Sequence, residues 1–272
     1  MTQSIKAVIL DWAGTVVDHG SRAPMGAFVR AFAEFGVVIT IADARGPMGM
    51  AKRDHIREVG RTPSVDAAWR ARHGHAMTEA EIDAVMAVFE PMNVASVEAH
   101  AGFIPGALDA LGILRARGIR IGATTGYTRP IMDVLAPIAA RGGYEPELSV
   151  CAGDLPAGRP SPLMMWHAMA QMGVWPARCV VKVDDTEPGI GEGREAGTWT
   201  VGLALSGNMC GLSEAELASL APAAKAEIRE TATRAFEACG ADFVIDSLAD
   251  LPPVIDTINQ RLSRAIGPGQ KV

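Results

Sequence analysis

The chain has 272 residues, of which 49% are hydrophobic and 21% charged, and its formal net charge is -6. That is enough apolar material for one large α/β domain, or a core with a smaller companion, and the balance is that of a globular chain and not of a disordered or coiled one. The acidic balance argues against a nucleic-acid partner, no apolar run is long enough to span a bilayer, and only a short strand-like stretch precedes Asp11, so a cytoplasmic location is expected.

In chain order, residues 5–10 are a short continuous apolar run ending at Asp11, which suits a parallel strand covered on both faces. Similar runs at 119–123, 179–183, 198–203 and 243–245 alternate with helical stretches at 106–117, 130–141, 161–172 and 189–196. This alternation predicts an α/β fold with a doubly wound parallel sheet and ligands at the carboxyl ends of its strands. Residues 21–99 break the pattern with amphipathic helices and no convincing strand, so they are expected to form an inserted helical domain on a core of 1–20 and 100–272. Thr78 and Glu81 make a capping-box signature there, ahead of Ile82, Val85, Met86 and Phe89 on one apolar stripe. A further helix is expected over 50–59, and Ser213 with Glu216 predicts a long helical stretch after the run at 198–203. Cys151, Cys179, Cys210 and Cys239 are far apart with no CxxC pair, so free thiols are expected.

Four segments carry chemistry. Asp11-Trp12-Ala13-Gly14-Thr15 sets a carboxylate directly after a buried strand; Thr124-Thr125-Gly126-Tyr127 follows the next one with hydroxyls and amides able to hold an anion. Gly158-Arg159-Pro160 offers a permanent cation in a stiff turn, able to clamp a phosphoryl oxygen. Asp184 and Asp185 end a buried strand side by side, and their mutual repulsion calls for a proton or a hard divalent cation. Each segment alone is also what an ordinary strand-end turn or surface loop contains. In the insert, a helix over 50–59 would align Lys52, Ile56 and Val59 on one face, where burial would lower the lysine pKa and free its amine to attack a carbonyl; a snorkelling lysine is the bland alternative.

The order of Asp, hydroxyl turn, cationic loop and acidic pair resembles the haloacid dehalogenase superfamily, in which the insertion after the first motif would be a cap. Phosphatases of that superfamily carry a general-acid Asp two residues after the nucleophile. Here the position is Ala13, a loss costing an ordinary phosphatase on the order of two to four powers of ten in rate. The stretch Pro47-Met48-Gly49-Met50-Ala51-Lys52-Arg53-Asp54-His55 is similar to the cap motif of the phosphonoacetaldehyde hydrolase family, as are Asp11 to Thr15, Thr125 to Tyr127, Gly158 to Pro160 and Asp185-Thr186.

The resemblance implies cleavage of a carbon–phosphorus bond. Lys52 would form a Schiff base, and Asp11 would accept the phosphoryl group. Asp11, the Ala13 carbonyl and Asp185 would surround Mg2+, with Asp184 behind them. Thr125, the Gly126 amide and Arg159 would bind phosphonyl oxygens; Met48, His55 and Tyr127 would line the site. A homodimer through the caps is also implied. Some family members have Gly before the metal-binding Asp and an acid a few residues later, whereas this chain has Asp184 and then Gly189, leaving open which acid of the pair touches the metal. A family cysteine near the start of the cap is Ser21 here, and no role is assigned to it. A capped phosphatase or phosphomutase, a dehalogenase and a non-catalytic phosphate or phosphonate binder are the rival readings.

Overall fold

Continuous apolar runs build the sheet. In the computed structural model, which describes residues 4–270, strand β1 (Ala7–Leu10) precedes a helical insert of α1 (Ala23–Glu34), α2 (Ile41–Arg45), α3 (Lys52–Arg61), α4 (Pro63–His73) and α5 (Glu79–Val97). The chain then runs through α6 (Ala107–Ala116), β2 (Arg120–Thr125), α7 (Arg129–Arg141), β3 (Ser149–Cys151), α8 (Leu163–Gln171), β4 (Val180–Asp184), α9 (Glu187–Glu195) and β5 (Trp199–Leu203). It closes with α10 (Glu214–Ser219), α11 (Pro222–Ala238), β6 (Phe243–Ile245) and α12 (Leu251–Ser263).

All pairings are parallel, in the order β3-β2-β1-β4-β5-β6. Helices cover both faces, so β1, β4 and β5 are buried along their whole length. This is the doubly wound sheet, and its strand order reverses beside β1, where such sheets open a ligand crevice. Register does the positioning: Leu10 lies opposite both Ala123 and Val183, which carries Asp11 level with Thr124 and Asp184.

The insert has a core of its own. Phe28, Phe32, Ile56, Val59, Val65, Trp69, Ile82, Val85 and Phe89 bury one another across α1 and α3–α5. Thr78 and Glu81 form both halves of the capping box that starts α5, while Met86 of its stripe is only half-buried. Entry and exit of the insert lie side by side, for the Asp18 amide donates to the Gly102 carbonyl at 3.0 Å and Val17 pairs with Phe103. Asp18 then turns the chain into α1, its carboxylate accepting from the amides of Arg22 and Ala23 at 3.0 and 2.9 Å.

Two features depart from expectation. Strand β3 spans only Ser149–Cys151 and was hidden by its brevity. The capping box at Ser213 opens a helix of six residues, not a long one, because Leu220 and Ala221 are extended ahead of Pro222, where α11 restarts. All four cysteines are free. Among the described residues no helix is long and apolar enough to cross a membrane.

Trp69 is fully buried against Phe32, Phe35 and His73 and anchors α4. Truncating it in Trp69→Ala is expected to cost about 3–5 kcal/mol, read as a lower urea midpoint of the insert's unfolding.

Candidate active site

Three carboxylates meet at the crevice. Asp11 follows β1, Asp184 ends β4 and Asp185 follows it, and ligand atoms of all three lie within 4.8 Å of one another, fully buried. Burial, partly offset by Arg159, raises the pKa of Asp11, while burial with Asp11 and Asp184 nearby pushes Asp185 well above the usual carboxylate range. One oxygen of Asp185 accepts from the Asn208 amide at 2.7 Å; the other is buried with no hydrogen-bond partner among the described residues. Asp184 differs. Burial would raise its pKa, but the nearby Arg159 and Lys182 cations and the Thr186 hydroxyl together hold it below the usual value. Its oxygens are taken up by Thr186 at 2.6 Å, Lys182 at 3.0 Å and Arg159 at 3.3 Å.

Arg159 leaves its loop and reaches into the core. Its guanidinium donates to Asp11 at 2.8 Å, to the Thr124 carbonyl at 2.5 Å and to Glu192 at 3.1 Å, and these surrounding carboxylates hold its pKa above the ordinary arginine value despite burial. Lys182 and Glu192 are buried neighbours of the site that sequence reasoning passed over, although Lys182 stands out as a charge inside an apolar strand. Four buried carboxylates, Asp11, Asp184, Asp185 and Glu192, thus face two buried cations, Arg159 and Lys182. Were all four ionised, they would exceed these two cations by two negative charges, and the raised pKa values of Asp11 and Asp185 express that crowding. With the unpartnered Asp185 oxygen and an all-oxygen donor set, this site fits a hard cation.

Lys52 closes the crevice from above. It is only 3% exposed, at the first residue of α3, with its Nζ 4.0 Å from the Met48 sulfur and 5.2 Å and 5.8 Å from the Tyr127 and Phe28 ring centres. Among the described residues it makes no ion pair. Burial lowers its pKa to about 8 against the pull of Asp11, and the positive end of the α3 dipole also opposes a charge there. Below Lys52, the Thr125 hydroxyl accepts from the Tyr127 amide at 3.1 Å and shapes the turn. The Tyr127 hydroxyl is buried and unpartnered among the described residues, and burial with Asp18 and Asp11 nearby raises its pKa well above the ordinary phenol.

Asp11, Ala13, Met48, Lys52, Thr125, Gly126, Tyr127, Arg159 and Asp185 all line one cavity of about 20 Å³, together with Ser21, Gly49 and Thr186. Two expected residues stand elsewhere. His55 lies behind Lys52, its ring centre 4.1 Å from that of Phe28 and tilted to it, with its Nε2 2.6 Å from the Ala44 carbonyl, and burial followed by the Lys52 charge holds it neutral. Asp184 sits beneath the cavity, bound to the buried cations. Core and insert touch through backbone: a Cβ on Gly126 would come within 2.7 Å of the Met50 carbonyl oxygen, so only glycine allows this closure.

An amine that loses its proton on burial is a stability liability while protonated. The folded pKa of about 8 lies below the ordinary 10.5, so the penalty is complete below pH 8 and is relieved as pH rises towards 10.5. Lys52→Met is therefore expected to stabilise the fold by about 3 kcal/mol at pH 7 and by much less at pH 10, as urea midpoints at the two pH values will report.

Residues 5–197 match the haloacid dehalogenase-like hydrolase family. The chain is 53% identical to the phosphonoacetaldehyde hydrolase of Paraburkholderia phytofirmans, over 97% of this chain and 99% of that one. It is 47% identical to that of Aeromonas hydrophila, over 98% and 96%. A phosphonoacetaldehyde hydrolase-like protein from Oleispira antarctica superposes with a TM-score of 0.96 at 38% identity, covering 98% of this chain and 97% of that one. A β-phosphoglucomutase from Clostridium difficile shares the fold alone, with a TM-score of 0.66 at 14% identity over 94% and 98% of the two chains. With its buried acids, its lysine-bearing insert and relatives matching it end to end, the chain belongs to the phosphonoacetaldehyde hydrolases, a family of haloacid dehalogenase-like hydrolases.

Proposed function

We propose that this protein hydrolyses phosphonoacetaldehyde to acetaldehyde and phosphate through a Lys52 Schiff base and an Asp11 aspartyl phosphate. The observation that carries the reading is one cavity walled by both Asp11 and a buried lysine whose pKa falls to about 8. In this reading residues 21–99 are a cap that closes on a core of 1–20 and 100–272. A cavity of about 20 Å³ holds little more than a water molecule, so substrate enters and products leave by separation of the two.

The neutral amine of Lys52 attacks the aldehyde carbon, and uptake of one proton from solvent with loss of water leaves an iminium. The Asp11 carboxylate attacks phosphorus; the carbon–phosphorus bond breaks, and its electron pair flows into the iminium to give an enamine. Protonation at carbon and addition of water then release acetaldehyde and regenerate Lys52. Water hydrolyses the aspartyl phosphate to phosphate and Asp11. Because the leaving group departs as an enamine, no acid is needed at Ala13 to protonate an alkoxide. Arg159, Thr125 and the Gly126 amide hold the phosphonyl oxygens as charge develops on them, while Met48 and Tyr127 pack around the amine and keep it dry.

Asp11, Asp185 and the Ala13 carbonyl would hold Mg2+, with Asp184 behind them. When bound, it supplies positive charge that eases approach of the anionic carboxylate to the anionic phosphonate. His55 keeps a supporting role, fixing the floor under Lys52 through Phe28 and Ala44.

Three outcomes test the reading. Borohydride added with phosphonoacetaldehyde should reduce the iminium and leave a two-carbon mass increment on Lys52, and a Lys52 left unmodified under turnover would remove the Schiff base. Since only the unprotonated amine attacks, kcat/KM should rise with pH and level off above about 8; Lys52→Arg, which keeps charge but cannot form an imine, should lose turnover entirely at every pH.

A further inference from the structure

Beneath the cavity lies a charged layer that no step above uses. Lys182 in β4 and Glu192 in α9 are both fully buried and neither lines the cavity. The Lys182 Nζ donates to the Thr124 hydroxyl at 2.7 Å and pairs with Asp184 at 3.0 Å and Glu192 at 3.2 Å. The same Glu192 oxygen accepts from the Thr124 hydroxyl at 2.8 Å and from Arg159 Nε at 3.1 Å.

We propose that Lys182 and Glu192 are positioning residues, a buried brace that aims the Arg159 guanidinium and the Asp184 carboxylate at Asp11. The inference rests on the phosphoryl site assigned above. Two observations carry it. Glu192 holds the Nε edge of Arg159 while the outer nitrogen of the same rigid plane meets Asp11, so fixing one edge fixes the other. Helix α9 also gives up favourable side chains to come close: a Cβ at Gly193 would lie 2.6 Å from the Lys182 Cβ, and one at Gly189 would collide with the Asp184 carboxyl group. Each helical glycine costs about 1 kcal/mol relative to alanine, and a buried ion pair is no more stabilising than apolar filling of the same volume. Stability therefore does not account for the arrangement, whereas orientation of the reacting groups does.

Lys182→Met, Glu192→Gln and the double variant separate aim from charge. On charge alone, removing Lys182 should tighten Mg2+ binding, removing Glu192 should weaken it, and the double variant should return to wild type in a calorimetric titration. Misaim instead lowers kcat on the order of 100-fold in both single variants and leaves it low in the double variant. A substrate-free readout is beryllium trifluoride with Mg2+, a stand-in for a phosphoryl group on a carboxylate. Its fluorine NMR resonances should shift or vanish in all three variants. Singles that keep wild-type kcat and resonances, or a double variant that recovers both, would overturn the brace. If an orphaned charge unfolds a single variant, the double variant decides alone. A wild type that binds the probe but leaves phosphonoacetaldehyde intact refutes the proposed reaction while the resonances still judge the brace, and one that does neither sinks both.

Discussion

Everything in this molecule leans on the contact between Arg159 and Asp11. A carboxylate buried at the end of an apolar strand would stay protonated and inert without a cation beside it, and a buried guanidinium would be ruinously desolvated without acids around it. Each makes the other tolerable. The parallel sheet supplies the alignment, since register carries Asp11, Thr124 and Asp184 to one level. Arg159 then only has to arrive from its proline-bounded loop to knit the three together.

On this charged floor the insert lays an uncharged lid. Lys52 faces the acids across the cavity but is held among sulfur and aromatic carbon, not ion-paired, so its charge is disfavoured where that of Arg159 is favoured. Two cationic side chains of one small site are thereby driven to opposite protonation behaviour by their surroundings. One stays charged among its acids; the other readily gives up its proton.

Much of this could be read from residues in order. Strand-end chemistry is visible because an apolar run ending in Asp11, Thr125 or Asp184 puts that residue at the carboxyl end of its strand. Lys52 could be found because its spacing to Ile56 and Val59 puts it on the buried stripe of α3, which the packing of both residues bears out. The brace could not be found that way, since Lys182, Thr124, Glu192 and Arg159 come from four separate segments and only the tertiary fold brings their atoms together. Helical spacing could not foretell His55, three positions after Lys52, because its ring turns back to the Ala44 carbonyl and Phe28. The interruption between α10 and α11 depended on one proline whose effect on Ala221 outweighed the capping signal upstream.

The paired crossing at Asp18 and Gly102 has a wider meaning. Because the chain leaves and rejoins the sheet at one point, joined there by the Asp18 amide on the Gly102 carbonyl and the Ile104 amide on the Val16 carbonyl, the helical module hangs from a single stem and contributes no strand to the framework beneath. Variation can therefore replace the whole appendage, and with it the reactive partner offered to the acids, without renegotiating a single strand pairing. On such a plan the insert can change while the charged floor keeps every strand neighbour it has.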